Sequence, residues 1–300
     1  MGVDVAEHVP QAADLFARAE RVLGYDLLTL CRQGPEEKLR ETKFSQPAIF
    51  VTNCALAAAV GPALEPVVSA GHSFGEFCSL VLADSLAFDD ALTLVDARGN
   101  AMQHAAEVAA GGMAAIIGLD VAKIEAAVRQ ARDEGAGRVQ LANFNAPAQI
   151  VISGDLEAVR RAGDLCLASG AKRVVPLNVS GAWHSELMAP AVPAFAPRVE
   201  AADVRLPRFD VISNVDAQPY REVQHIKENL ISSITAPVLW HDASLRLLED
   251  APELIVEFGA SPVLGPMLKR LPGAPEIAGV SDRAAVEKLQ ARLRTTAGKS

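Results

Sequence analysis

The apolar positions of this chain follow two rhythms. Residues 4–32 space them at helical intervals and predict a helix, a turn at Gly24-Tyr25-Asp26 and a second short helix. Ser45-Gln46-Pro47 predicts the start of a third helix, running over 48–60, with the proline near its first turn. A short apolar run ending at Ala70 fits a buried strand. Residues 77–86 lack Gly and Pro and fit a helix, and 89–106 predict another, carrying Arg98.

The rhythm then changes. Residues 113–118 predict a strand, and 121–134 an amphipathic helix with Ile124, Ala127, Val128 and Ala131 on one side. Residues 139–143 and 149–153 predict two strands joined through Asn145-Ala146-Pro147. A helix over 156–169 and a strand over 172–177 complete a βαββαβ order, that of a split ferredoxin-like unit. The chain returns to candidate buried strands at 211–213 and 254–258, and a charged helix follows about 283. The expected fold is α/β: a hydrolase-like large domain with a mostly parallel sheet (1–110 and 179–300), holding an inserted ferredoxin-like small domain (111–178).

Composition narrows the function. The 300 residues are 50% hydrophobic and 22% charged, which supports a folded core. The net charge is −9, so nucleic-acid binding is not expected, because phosphate contacts need clustered Lys and Arg. No apolar run is long enough to span a bilayer and no signal peptide opens the chain, so the expected location is cytoplasmic. Cys31, Cys54, Cys78 and Cys166 form neither C-x-x-C nor a zinc pattern and are expected to be reduced thiols. No metal or prosthetic cofactor is expected.

Chemistry concentrates at Gly71-His72-Ser73-Phe74-Gly75-Glu76. This G-x-S-x-G stretch lies between a predicted strand and a predicted helix. It reads as a nucleophile elbow that lifts the Ser73 hydroxyl out of a sheet. Gly71 and Gly75 are expected to be required because a side chain at either position would crowd the turn. The following helix would direct its first amides at an oxyanion. The competing reading is a chance match of three fixed positions.

A serine needs a base. His184 is the candidate, in the small-residue loop Val179-Ser180-Gly181-Ala182-Trp183-His184-Ser185 before a helix expected at Glu186. The alternative is an exposed loop histidine. His72 ranks second, because a neighbour of the nucleophile points elsewhere. His104 reads as a surface residue, and His8, His225 and His241 have no supporting context. Arg98 is either a solvated helix charge, the commoner outcome for a lone arginine, or a bidentate clamp for a substrate carboxylate.

Several stretches occur together in the order of one family. They are the elbow, Arg98-Gly99 with Met102-Gln103, Asn143 through Asn145-Ala146-Pro147 and Gln149, the Ser180 to His184 loop, and Ser213-Asn214-Val215. On these the chain resembles malonyl-CoA:acyl carrier protein transacylases and polyketide synthase acyltransferases over nearly its whole length. The segment Thr42-Lys43-Phe44-Ser45-Gln46-Pro47-Ala48 is similar to the discrete, trans-acting members.

The resemblance implies that malonyl-CoA is the substrate and that Ser73 carries the malonyl group as an ester. His184 would then activate the phosphopantetheine thiol of an acyl carrier protein. It implies a Ser–His pair without a triad carboxylate, the histidine being oriented by a backbone carbonyl from the Val238-Leu239-Trp240 loop, taken as that of Leu239. Asn214 and Gln46 would support the site. Arg98 would pair with the malonyl carboxylate, and His72, Met102 and Trp183 would line the substrate. Trp183 stands where malonyl-selective members usually carry an aromatic residue. The Phe74 N–H would be an oxyanion donor.

The family's opening strand and Gly-Gln-Gly-Ser loop have no counterpart here, which predicts the loss of one oxyanion donor, worth roughly 10²–10³ in rate. Leu239 also replaces a common Gln before the loop tryptophan. The alternatives are therefore an editing hydrolase acting on acyl carrier protein thioesters, which would have no use for a carboxylate clamp, and a catalytically impaired docking protein. The carrier protein is expected to be acidic. Lys172, Arg173, Lys269 and Arg270 are candidates for a basic docking patch or ordinary solvated charges.

Overall fold

In a computed structural model, residues 1–297 of the chain are described. They form two compact units. One holds residues 1–96, 203–212 and 244 onward, and the other holds 97–202 and 213–243. Among the described residues eight strands occur in order: β1 Val68–Ala70, β2 Gly112–Ile117, β3 Val139–Ala146, β4 Gln149–Gly154, β5 Arg173–Pro176, β6 Asp210–Ile212, β7 Leu254–Phe258 and β8 Glu276–Val280.

In the first unit both strand pairs are parallel, β1 with β6 and β7 with β8. Helix Thr42–Val60 is its central beam. Its buried residues, among them Phe50, Val51, Cys54, Ala55 and Leu56, lie on every side, as expected of a helix enclosed by protein. Helices Pro10–Leu23, Glu36–Arg40, Gly75–Leu82 and Arg283–Ala297 pack against it. Its C-terminal carbonyls are capped from the tail helix: Gln290 donates to Ala59 at 2.9 Å and to Val60 at 3.3 Å.

Pro47 does not open this helix. Ser45 and Phe44 donate to the Glu41 carbonyl at 2.9 Å, so the first turn starts at Thr42 and Pro47 falls in the second. A proline there removes only the bond to the Lys43 carbonyl, a loss the buried surroundings override.

The second unit contains a four-stranded antiparallel sheet in the order β3-β4-β2-β5. With its crossing helices Val121–Asp133 and Leu156–Ala168 this is the ferredoxin-like arrangement. Side chains alternate across the pleat. Ala114, Ile116, Ile150 and Ile152 face the two helices, meeting Ile124, Ala127, Val128, Ala131, Ala158, Val159, Ala162 and Cys166. Met113, Ala115, Ala142 and Val151 face the other way, where Leu177 and Trp183 cover them. The unit also takes in helix Val192–Ala201, helix Val223–Ser232 and the loop beyond it.

Three local outcomes differ from expectation. β3 continues through Ala146, past the expected turn, with irregularities between Leu141 and Asn143 and between Phe144 and Ala146. The extra residues pair because a bulge lets a strand absorb them. The helix at Glu186 begins as a 3₁₀ turn, Glu186–Ala191, with Pro190 inside it. β8, Glu276–Val280, is entered through Ala274-Pro275, a proline-bearing approach that hides a strand signal. Among the described residues no helix is long and apolar enough to cross a membrane.

Ile116 is fully buried whereas Leu167 is half exposed. Ile116→Ala is therefore expected to lower the unfolding free energy by about 2–5 kcal/mol. Leu167→Ala should change it by less than about 0.5 kcal/mol. Urea denaturation of the two variants beside the native protein checks the contrast.

Candidate functional site

In the first unit the chain leaves β1 and turns sharply into helix Gly75–Leu82. Ser73 sits at the apex with φ 55°, a left-handed conformation that a non-glycine residue adopts only where its surroundings enforce it. Two backbone bonds close the turn: Gly75 donates to His72 at 3.0 Å and Glu76 to Ser73 at 3.2 Å. Ser69 and Ser79 hydroxyls, 2.8 Å apart, tie the strand to the helix.

The two elbow glycines are not equivalent. A Cβ on Gly71 would stand 2.0 Å from the Gly75 carbonyl carbon and oxygen, so only glycine fits. A Cβ on Gly75 meets nothing within 4 Å, so the expectation of crowding there is corrected. Phe74 is the N-cap of the helix, and Ser73, Phe74 and His72 are all partly exposed. Gln46 belongs to the same unit and is buried in helix Thr42–Val60.

His184, in the second unit, also has positive φ, 57°. It is 3% exposed, which overturns the exposed-loop reading. Its Nδ1 lies 2.9 Å from the Ser233 carbonyl oxygen and 3.2 Å from that of Ala236. A carbonyl only accepts, so Nδ1 carries a proton, and in the neutral ring the lone pair is on Nε2. Ser233 is the C-cap of helix Val223–Ser232, whose negative end favours a positive imidazolium.

The expected orienting carbonyl, that of Leu239, is thereby corrected. Leu239 instead donates its N–H to the Asn214 carbonyl at 2.8 Å. Asn214 is buried and braces the loop through its backbone. Sequence reasoning missed Ser233 and Ala236. A readable signal was present: the helix ends at Ser232, shortly before Ala236-Pro237, and the residue preceding a proline is disfavoured in the helical region, which favours a helix end and free carbonyls there.

Beneath this loop lies a polar cluster. Asn229 donates to the Ser213 hydroxyl at 2.9 Å and to Asp216 at 3.1 Å, and His225 Nε2 lies 2.6 Å from Asp216. Burial raises the Asp216 carboxyl, but the Gln218 N–H and the Asn229, His225 and Ser213 side chains outweigh it and hold it below its ordinary range.

Arg98 is 1% exposed, so it is not a solvated helix charge. A guanidinium stays charged wherever it is put, and burying one is costly unless hydrogen-bonding groups receive it. Met102, one turn on along helix Phe88–Val108, is buried as well. Trp183 packs over Met113, Ala115, Ala142 and Val151, and its ring lies where a Cβ on Gly181 would come within 2.6 Å. His104, Lys172, Arg173, Lys269 and Arg270 are exposed, and the four cysteines are free. Among the described residues no His, Cys, Asp and Glu cluster is arranged to hold a metal ion.

The family model of the acyl transferase domain matches residues 1–292. The malonyl CoA-acyl carrier protein transacylase of Haemophilus influenzae is 38% identical over 293 residues, covering 97% of this chain and 93% of that protein. The polyketide biosynthesis protein ThaF of Burkholderia thailandensis is 38% identical over 282 residues, 91% of this chain but 24% of that larger protein. A solved malonyl-transacylase, in complex with its type II polyketide acyl carrier protein, superposes with a TM-score of 0.92 at 37% identity, covering 97% of this chain and 94% of that one. The chain belongs to the acyl transferase domain family. It is an acyltransferase.

Gly71→Ala is expected to abolish acyl transfer and to lower Tm, while Gly75→Ala keeps the native Tm; thermal melts of both variants decide the asymmetry. A second expectation concerns pH. A carboxyl held below its ordinary value stabilises the fold above the unfolded pKa, and that contribution disappears as pH falls through the folded one. Asp216→Asn should therefore be less stable than the native protein at neutral pH, with the difference closing below about pH 4. Equal stabilities at pH 7 would contradict the network described.

Proposed function

We propose that the chain transfers a malonyl group from malonyl-CoA to the phosphopantetheine thiol of an acyl carrier protein. The observation that carries the reading is the buried imidazole, locked by two carbonyls with Nε2 left as a base. It is supported by full-length relatives named for that reaction and by the strained serine elbow.

Ser73 Oγ attacks the thioester carbonyl while His184 Nε2 takes its proton. The tetrahedral intermediate collapses, the C–S bond breaks, and the imidazolium returns the proton to the departing coenzyme A sulfur. The malonyl group now rests on Ser73 as an ester. In the second half His184 removes the proton from the phosphopantetheine thiol. The thiolate attacks the ester, and Ser73 leaves with that proton. The Phe74 N–H is the proposed oxyanion donor of the elbow.

Arg98 is the proposed partner of the free malonyl carboxylate. An acetyl group brings no carboxylate to such a guanidinium, which gives discrimination between the two thioesters. The Trp183 ring, fixed by packing, is the proposed wall that excludes a branched α-carbon. The reaction is proposed for the cytoplasm, where four free thiols stay reduced.

Intact-protein mass spectrometry after brief incubation with malonyl-CoA tests the reading. A malonyl adduct is expected on the native chain, absent in Ser73→Ala and reduced by roughly a hundredfold or more in rate in Arg98→Ala. Transfer to a phosphopantetheinylated carrier protein should discharge the adduct, with little free malonate. Release mainly as malonate would make the protein a hydrolase instead.

A further inference from the structure

Gln140 lies on β3, away from the residues that carry the chemistry, yet its amide touches both segments that hold His184. Nε2 donates to the His184 carbonyl and to the Thr235 carbonyl, each at 3.2 Å. Oε1 accepts from the Glu186 N–H at 3.0 Å. Only one orientation of the amide satisfies these three partners, since carbonyls cannot donate and an N–H cannot accept.

The contacts are selective in what they join. His184 and Glu186 belong to the histidine loop. Thr235 lies between Ser233 and Ala236, the two residues whose carbonyls meet Nδ1. The separation of these two backbone segments sets the length and angle of the Nδ1 hydrogen bond. It therefore sets the direction of Nε2.

β3 holds the second segment by its backbone as well. Val238 donates to Ala142 at 2.9 Å, and Phe144 donates to Val238 at 2.8 Å. The bulge between Leu141 and Asn143 leaves Ala142 out of register with β4, which frees its carbonyl for Val238. The backbone bonds fix only the 238 side. The Gln140 side chain joins the histidine loop to the segment facing it.

We infer that Gln140 is a positioning residue for the catalytic histidine, an amide clamp that holds the 184–186 loop against the 233–236 carbonyls. The inference rests on the acyl-transfer reading for its kinetic consequence but not for its geometry. A misdirected general base lowers the rate of proton transfer without weakening substrate binding.

The test uses Gln140→Met, of similar shape and without the amide, and Gln140→Glu, which keeps an acceptor for Glu186 but faces two carbonyls with a carboxylate. Both are made in the full chain. Gln140 is only half-buried, so Tm should change little. For malonyl-CoA, kcat of acyl-enzyme formation is expected to fall roughly 10- to 100-fold in both, with KM within about twofold of native. Nitrogen-15 spectra of the imidazole give a readout independent of turnover. The native protein should show His184 as the Nδ1–H tautomer, and each variant a mixture of tautomers.

Native kcat together with a native His184 spectrum in both variants overturns the inference. So does a loss of Tm with kcat and KM falling together while the spectrum is unmoved, because that describes a merely structural contact. If the native chain forms no acyl-enzyme at all, the acyl-transfer reading fails, and the imidazole spectrum alone decides the role of Gln140.

Discussion

The hydrogen bond between a buried imidazole and two backbone carbonyls is the constraint on which the second unit depends. Carbonyl acceptors impose one tautomer, and that tautomer alone presents a basic nitrogen at Nε2. At Nδ1 the partners are the backbone carbonyls of Ser233 and Ala236, where a triad would place a carboxylate. The end of helix Val223–Ser232 supplies instead the partial negative charge that an imidazolium requires. A carboxylate would need its own buried hydrogen bonds, whereas helix-terminal carbonyls are unsatisfied already and carry no desolvation cost of a full charge. Several local features follow from this choice. The helix stops before Pro237, Asn214 receives the Leu239 N–H, and β3 bulges at Ala142, each with the effect of holding 233–239 still.

The two residues with the most chemistry share a backbone peculiarity. Ser73 and His184 have φ of 55° and 57°, a region that costs about 1–3 kcal/mol for a non-glycine residue. The strain is held differently in each. At Ser73 the neighbouring chain packs so closely over Gly71 that no Cβ fits, and the turn has no room to relax. At His184 side chains hold the loop: Ser185 donates to Ala182 at 2.6 Å, and Gln140 reaches the His184 carbonyl. Rigid packing suits the proposed nucleophile, which must project at one fixed angle. A side-chain clamp is the more easily tuned device, because one substitution alters it without disturbing a core.

Periodicity made the small sheet legible. Ile124, Ala127, Val128 and Ala131 were expected on one side of a helix and are the residues it buries. The elbow was legible because a tight turn leaves a mark in residue size. What stayed hidden has a common physical character. The carbonyls of Ser233 and Ala236 act through the backbone, and any side chain presents the same oxygen. The family resemblance points to Leu239, beside a tryptophan, but a loop's carbonyl directions depend on its dihedrals, which sequence does not state. Pro47 misled because a helix starting at Thr42 tolerates one lost bond when its surroundings are apolar. Gln140, an ordinary strand residue by pattern, acquires its role only when segments 44 and 95 residues away arrive beside it.

Burial also separates the charges that matter from those that do not. Pairs such as Arg40–Glu36 and Arg160–Glu157 lie on exposed helix faces, where water and salt screen them and they contribute little. Arg98 differs in its environment and not in its chemistry. Inside protein the same guanidinium acts through a lower effective dielectric, where charge-assisted bonds are roughly twice as strong as neutral ones. The proposed clamp depends on that difference. A solvated arginine would bind a carboxylate weakly in competition with water, whereas a buried one would bind it more strongly. Selectivity for a dicarboxylic thioester would then come from the position of one helix residue along the chain. One turn on from it, Met102 fills space with a side chain that offers no strong hydrogen bond.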